Sequence, residues 1–225
     1  MHIDRMEVLR YLGHKNQCID EATERLLEEC MVEINNISKK SFVYNIYDIE
    51  KEGDKIALKE TSLIFDSKDL HMHLNNSDKC ALMAATLGLE VDRRIAYYAK
   101  MNLTKGIIMD ACASTAIEAL CDEVQEEIDA KAKEDGYYIT GRYSPGYGDL
   151  PISFQNNIVE VLKAYPKIGL TVNESSIMLP RKSVTAFIGW QREKYTAKEY
   201  KCKTCKEMNC VYRKCGDSDE KNCKI

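Results

Sequence analysis

The period of apolar positions changes several times along the chain, and each change marks an element. Residues 3–12 place Met6, Leu9 and Leu12 on one side, which predicts a short helix ended by Gly13. Asp20 stands at a cap position before a longer helix to about Asn36, with Ala22, Leu26, Leu27, Cys30, Met31 and Ile34 at helical spacing. Ser41 to Ile49 is rich in aromatic and β-branched residues and reads as a strand. A turn at Glu52-Gly53-Asp54 leads to a second strand around Ile56 to Leu58, and Ser62 to Phe65 reads as an edge or linker strand. Ser67 is placed to cap a short helix from Lys68 to about His73.

Cys80 to Gly88 is a compact apolar run whose length fits a buried strand and a helix equally. Leu89 to Lys100 reads as a helix with a basic face at Arg93, Arg94 and Lys100. The longest helical pattern starts at Asn102 or Leu103 and runs to about Lys133. Ile107, Ile108, Ala111, Cys112, Thr115, Ala116, Leu120, Val124 and Ile128 keep its 3.6-residue period. Its first part is small and apolar, and its later part, Asp122 to Asp135, is acidic. Tyr137 to Arg142 reads as a strand, and Ile152 to Ala164 as an amphipathic helix with Ser153 as cap. Lys167 to Val172 reads as extended. Ile177 to Pro180 and Ser183 to Trp190 read as strands joined by a turn at Pro180-Arg181-Lys182.

Between these elements lies Gly141-Arg142-Tyr143-Ser144-Pro145-Gly146-Tyr147-Gly148-Asp149-Leu150-Pro151. Glycine allows close backbone approach and proline fixes φ, so a shaped loop is expected. Its arginine and tyrosines suit a flat, polar ligand with a carboxylate; tyrosines that merely pack are the alternative.

Composition narrows the class. The chain has 225 residues, 44% hydrophobic and 30% charged, as in a soluble globular protein. No apolar run is long enough to span a membrane, and the N-terminus has no apolar signal core, so a cytoplasmic location and no membrane partner are expected. A net charge of −4 argues against nucleic-acid binding. Of ten cysteines, Cys18, Cys30, Cys80, Cys112 and Cys121 fall in helical or apolar contexts and are expected to pack in the core. The others crowd into residues 202–223. Cys202-x2-Cys205-x4-Cys210-x4-Cys215 suggests a metal ligand set, an iron–sulfur cluster or zinc, although the spacing fits no standard signature. Redox-active thiols, or a solvated lysine-rich docking tail, are the other readings. His71 and His73 lack a third ligand nearby, so packing or surface roles are expected for them.

No Walker loop, GxSxG, HExxH or strand-linked GxGxxG is present. All four histidines precede residue 74, away in sequence from the Arg142 loop, and no nucleophile–base pair can be assembled. Binding therefore carries the functional argument.

Arg142-Tyr143-Ser144-Pro145-Gly146-Tyr147 resembles the Arg-x-x-x-Gly-Tyr motif of the reactivation domain of cobalamin-dependent methionine synthase. Ile168-Gly169 through Thr171, Glu174, Ser175, Met178 and Pro180 is similar to that family's downstream pattern, and Ser183 to Trp190 to its following strand. Ala84 to Gly88 and Asp110 to Ala116 resemble a free-standing bacterial branch. The resemblance covers roughly residues 3–195. It implies an α+β fold, a twisted, mainly antiparallel sheet with flanking helices, in a domain over 1–197 followed by a Cys-rich tail over 198–225.

It also implies binding of S-adenosylmethionine and presentation of its methyl group to cobalamin oxidised to the cob(II)alamin state. Arg142 would hold the ligand carboxylate, with Ser144 and Gly146 offering backbone and Tyr147 an aromatic face. Glu118 is the implied acidic partner of the sulfonium, with Asp122, one turn along, as alternative; Tyr195 matches a late family tyrosine. Cobalt is the nucleophile, so no catalytic acid or base is expected and the protein contributes orientation. The substrate barrels and the Asp-x-His-x-x-Gly corrinoid signature are absent from the sequence, so this reading gives a component of a methyltransferase rather than a complete enzyme. The cobalamin is expected on a partner, a corrinoid-binding methionine synthase or related methyltransferase, with a separate electron donor. The alternatives are a metal- or iron–sulfur-binding electron-transfer accessory, and a corrinoid-docking scaffold without methyl transfer.

Overall fold

The computed structural model describes residues 2–14 and 18–193. Two helices come first, α1 (Arg5–Tyr11) and α2 (Glu21–Ile37). Each is capped by an aspartate: Asp4 accepts from the Met6 N–H and Asp20 from the Thr23 N–H. A cap of this kind is worth about 1 kcal/mol. The strands β1 (Ser41–Glu52), β2 (Lys55–Leu58) and β3 (Ile64–Asp66) follow as a meander, then α3 (Lys68–His73), capped by the Ser67 hydroxyl as expected. Next come β4 (Ser77–Thr86), α4 (Leu89–Met101), α5 (Leu103–Glu134) and the short β5 (Tyr138–Ile139). The last third holds α6 (Phe154–Val161), α7 (Ala164–Ile168), β6 (Thr171–Val172), β7 (Met178–Leu179) and β8 (Ser183–Gln191).

Six strands form one sheet in the order β3-β2-β1-β4-β8-β5, and every neighbouring pair is antiparallel. The expected α+β architecture is the observed one. The Cys80–Gly88 run resolves as strand β4, at the centre of the sheet. Helices cover both faces there, so both sets of alternating side chains are buried and the run loses the polar alternation of an ordinary antiparallel strand. Ala81, Met83 and Ala85 face one core with α2 and α5; Cys80, Leu82 and Ala84 face a second with β2, α3 and α6. The side chains of β8 divide the same way: Ala186, Ile188 and Trp190 join the first core and Phe187 the second.

α5 crosses the first face. Ala111, Cys112, Ala113 and Ala116 are buried along it, and small side chains let the helix lie close to the sheet. At its start Gly106 admits α4: a Cβ there would meet the Ala99 backbone nitrogen at 2.8 Å.

Several expectations are corrected. Lys167–Val172 is not extended throughout, because α7 occupies Ala164–Ile168 and only Thr171 and Val172 are strand. Pro166 stands in the first turn of that helix, where a missing N–H costs nothing, and Gly169 closes it with φ 69°. β7 pairs with β6 in a separate two-stranded ribbon and not with β8. Ser153 precedes α6 but makes no side-chain capping bond. Cys18 is exposed, while Cys30, Cys80, Cys112 and Cys121 are buried as expected. On the basic face of α4, Arg94 pairs with Glu33 of α2. Among the described residues, no helix is long and apolar enough to cross a membrane.

Candidate functional site

The segment after β5 stays alongside β8 although its ladder is interrupted. The Thr140 N–H donates to the Gly189 carbonyl at 2.8 Å, and the Gly189 N–H donates to the Thr140 hydroxyl at 2.8 Å. Tyr143 and Phe187 then exchange backbone hydrogen bonds of 3.0 and 2.7 Å. This extended path sends successive side chains to opposite faces. Tyr143 enters the second core, and Arg142 turns to the acidic part of α5.

The Arg142 guanidinium donates through Nη1 to Asp122 Oδ1 at 2.7 Å and Gln125 Oε1 at 3.0 Å, and through Nη2 to Glu118 Oε2 at 3.0 Å. Glu118, Asp122 and Gln125 lie three or four residues apart, so one face of α5 presents all three. The Arg142 side chain is 21% exposed, against 47% for Glu118 and 67% for Asp122. Burial works against the charge of Arg142, but the hydrogen bond to Asp122 and the surrounding negative groups outweigh it and raise its pKa.

Arg142, Glu118 and Asp122 share the wall of a cavity of about 550 Å³ with Thr115 and Ala119 of α5. The opposite wall comes from the N-terminus and α1: His2, Asp4, Glu7, Arg10 and Tyr11. Four carboxylates therefore face two guanidinium groups, an excess of negative charge. Arg10 is held by Glu7 at 2.6 Å and lies over the Tyr11 ring, 4.7 Å from its centroid. Burial raises the Tyr11 pKa, and the charge of Glu118 adds to the effect. A cavity of this size suits a small-molecule ligand. Its paired signs suit a zwitterion, and its acidic excess suits an added positive charge.

The rest of the loop turns away from this cavity. Pro145 and Leu150 are buried, and Tyr147 is 56% exposed. The turn is closed by the Gly146 N–H donating to the Leu150 carbonyl at 2.8 Å and the Tyr147 N–H to the Ser144 carbonyl at 3.1 Å. The Tyr143 hydroxyl donates to the Tyr147 carbonyl at 2.9 Å, and the two rings meet edge to face with centroids 6.0 Å apart. Gly148 has φ 52°, and a Cβ on it would lie 2.0 Å from Asp69 Oδ2, so only glycine fits.

The structure thus brings Arg142, Glu118 and Asp122 together. It places Ser144, Gly146 and Tyr147 on the same loop, but none of them lines the cavity. Tyr195 and the cysteines Cys202, Cys205, Cys210 and Cys215 lie outside the described residues. Among the described residues no group of three or more His, Cys, Asp or Glu side chains is placed to hold a metal. The contribution of α1 was not foreseen. Its signal was present, since Asp4, Glu7 and Tyr11 recur at helical spacing on one face, beside the apolar stripe that drew the helix assignment. His73, remote in sequence, reaches the loop: its Nε2 lies 2.9 Å from the Gly141 carbonyl oxygen and 3.0 Å from the Thr140 hydroxyl.

No curated protein matches the chain in sequence. In fold, it is similar to the MetH reactivation domain solved as a crystal structure bound to AdoHcy, with a TM-score of 0.61 and 16% identity. That match covers 84% of this chain and 70% of the other. Residues 69–214, which include the Arg142 loop and all of α5, match the model of the vitamin B12 dependent methionine synthase activation domain. The match spans more than half of the sequence, and the chain belongs to this family of activation domains.

Proposed function

We propose that this chain binds S-adenosylmethionine in the cavity between α1, α5 and Arg142 and supports the reductive methylation of cobalamin carried by a partner protein. The juxtaposition of Arg142 with Glu118 and Asp122 on that cavity carries the reading. The family and the AdoHcy ligand of the similar MetH domain support the ligand class. The chemistry of the wall fits it. The ligand carries a carboxylate, an ammonium and a sulfonium, one net positive charge, and the wall carries both signs with negative in excess.

In this role Arg142 holds the carboxylate by a charge-assisted contact, and Glu118 and Asp122 fix the direction of the guanidinium. Glu118 also offsets the sulfonium charge. Ser144, Gly146 and Tyr147 form the outer lip, with Tyr147 free to cover the ligand from its exposed position; Tyr195 would join from the following segment. Bound there, S-adenosylmethionine supplies an electrophilic methyl group, whose acceptor is the partner's cobalt after one-electron reduction by a separate donor. The residues need no acid or base for this, only orientation.

The partner class is a corrinoid-binding methionine synthase or a related methyltransferase. Anaerobic incubation of this protein and a reductant with candidate cob(II)alamin proteins and methyl-labelled S-adenosylmethionine tests the reading. Label on the cobalamin is expected; binding of the partner without transfer of label would leave only a docking scaffold. A second role is carried by the spacing of Cys202, Cys205, Cys210 and Cys215, which we propose as ligands of an iron–sulfur cluster or zinc. Metal analysis and visible absorption of anaerobically purified protein decide it, and a colourless, metal-free, fully active sample would remove it.

A further inference from the structure

We infer that α3 is a positioning brace for the Arg142 loop, with Ser67, Asp69 and Asp149 forming a clip that sets the loop geometry for ligand binding. This rests on the ligand reading above and assigns it residues that touch no ligand.

The loop is held at both ends by one short helix. At its start, His73 on the last turn of α3 contacts the Gly141 carbonyl and the Thr140 hydroxyl, and its ring lies 5.2 Å from that of Tyr143. At its end, the Asp149 carboxylate accepts hydrogen bonds from the Ser67 hydroxyl, the Lys68 N–H at 2.8 Å and the Asp69 N–H at 3.2 Å. The bond is returned, because Asp69 Oδ2 accepts from the Asp149 N–H at 3.2 Å. Gly148 lies against the same Asp69 oxygen, in a space that excludes a Cβ. The Ser67 hydrogen bond and the two backbone N–H groups hold the Asp149 carboxyl below its ordinary pKa, against a smaller effect of burial, so the clip stays charged at neutral pH.

The reciprocity gives the clip its function. A loop with three glycines has a wide choice of backbone conformations, and pre-organisation raises affinity by removing that freedom before the ligand arrives. Arg142 sits between the two anchors. Its place opposite Glu118 and Asp122 is therefore set from α3, on the other face of the sheet from α5.

The test is calorimetric binding of S-adenosylmethionine by the full chain, at a temperature where near-ultraviolet circular dichroism shows every variant folded. Asp149→Ala is expected to weaken binding about ten-fold, the size of one charge-assisted contact. Asp149→Asn, which keeps an acceptor, should recover part of that loss. Asp69→Ala leaves the Ser67 cap of α3 intact and should weaken binding about three-fold, as a single neutral donor is released. Hydrogen exchange should quicken at the amides of Gly146, Tyr147 and Leu150 in both alanine variants and not in β4 or β8, a localised change that general destabilisation does not produce. Unchanged affinity in Asp149→Ala beside a large loss in Arg142→Ala would overturn the positioning role alone. Absence of binding by the wild-type protein would overturn the ligand reading and this role with it.

Discussion

Arg142 works because of what surrounds it. Three partners on one face of α5 fix its two terminal nitrogens, so the guanidinium is oriented before a ligand arrives. A charged contact of this kind is worth about 2–3 kcal/mol, so Arg142→Ala is expected to weaken S-adenosylmethionine binding about thirty- to a hundred-fold by calorimetry. Arg142→Lys should recover little, since an ammonium does not reproduce the planar fork. Glu118 is half-exposed, which limits its effect to about 1 kcal/mol. Glu118→Gln should therefore cost about five-fold for S-adenosylmethionine and clearly less for S-adenosylhomocysteine, which lacks the sulfonium charge. Equal losses for both ligands would show that Glu118 acts only through Arg142.

At the scale of elements, the fit between α4 and α5 sets the wall on which Glu118 and Asp122 stand. Gly106 lies where the helices touch, and a Cβ there would press on the backbone of Tyr98 and Ala99 at 3.1 Å or less. Alanine would gain about 1 kcal/mol in helix propensity, but forced separation of two packed backbones costs about 1–3 kcal/mol. Gly106→Ala is therefore expected to lower stability by up to about 2 kcal/mol in urea denaturation, with little change in the slope of the transition. Elements were legible where one face is wet. α2 and α5 show a helical period, and Asp20, Ser67 and Asn102 cap where their side chains predict. β4 was not legible, because burial on both faces erases the alternation that distinguishes a strand. Nor was α7, whose proline reads as a break until its place in the first turn is known. Of the site, the loop and the α5 carboxylates could be found from motif and spacing. The α1 wall and the α3 brace could not, because they reach Arg142 only through the tertiary fold.

For the whole molecule, two cores on one sheet bury four thiols among the described residues. Burial pushes Cys80, Cys112 and Cys121 up to about 12 and Cys30 up to about 11, from an ordinary value of 9.0. Below pH 9 both folded and unfolded chains keep these protons, and the thiols add no pH dependence. Above it the unfolded chain releases them while the folded chain retains them, so stability falls as pH rises from about 9 to 12. Urea titrations across that range should show the decline, and replacing Cys112 by alanine should make it shallower. Alkylation of the native protein mapped by mass spectrometry should modify Cys18 quickly and leave Cys30, Cys80, Cys112 and Cys121 protected. The same architecture joins α1, α5 and the Arg142 loop at one cavity, and the central claim concerns what that cavity holds. Its most direct test is titration calorimetry of S-adenosylmethionine into the wild-type protein and Arg142→Ala. Saturable one-to-one binding by the wild type, lost or weakened at least about thirty-fold in the variant, is the expected result. No heat of binding with the folded wild-type protein, or equal affinity in the two, would contradict it.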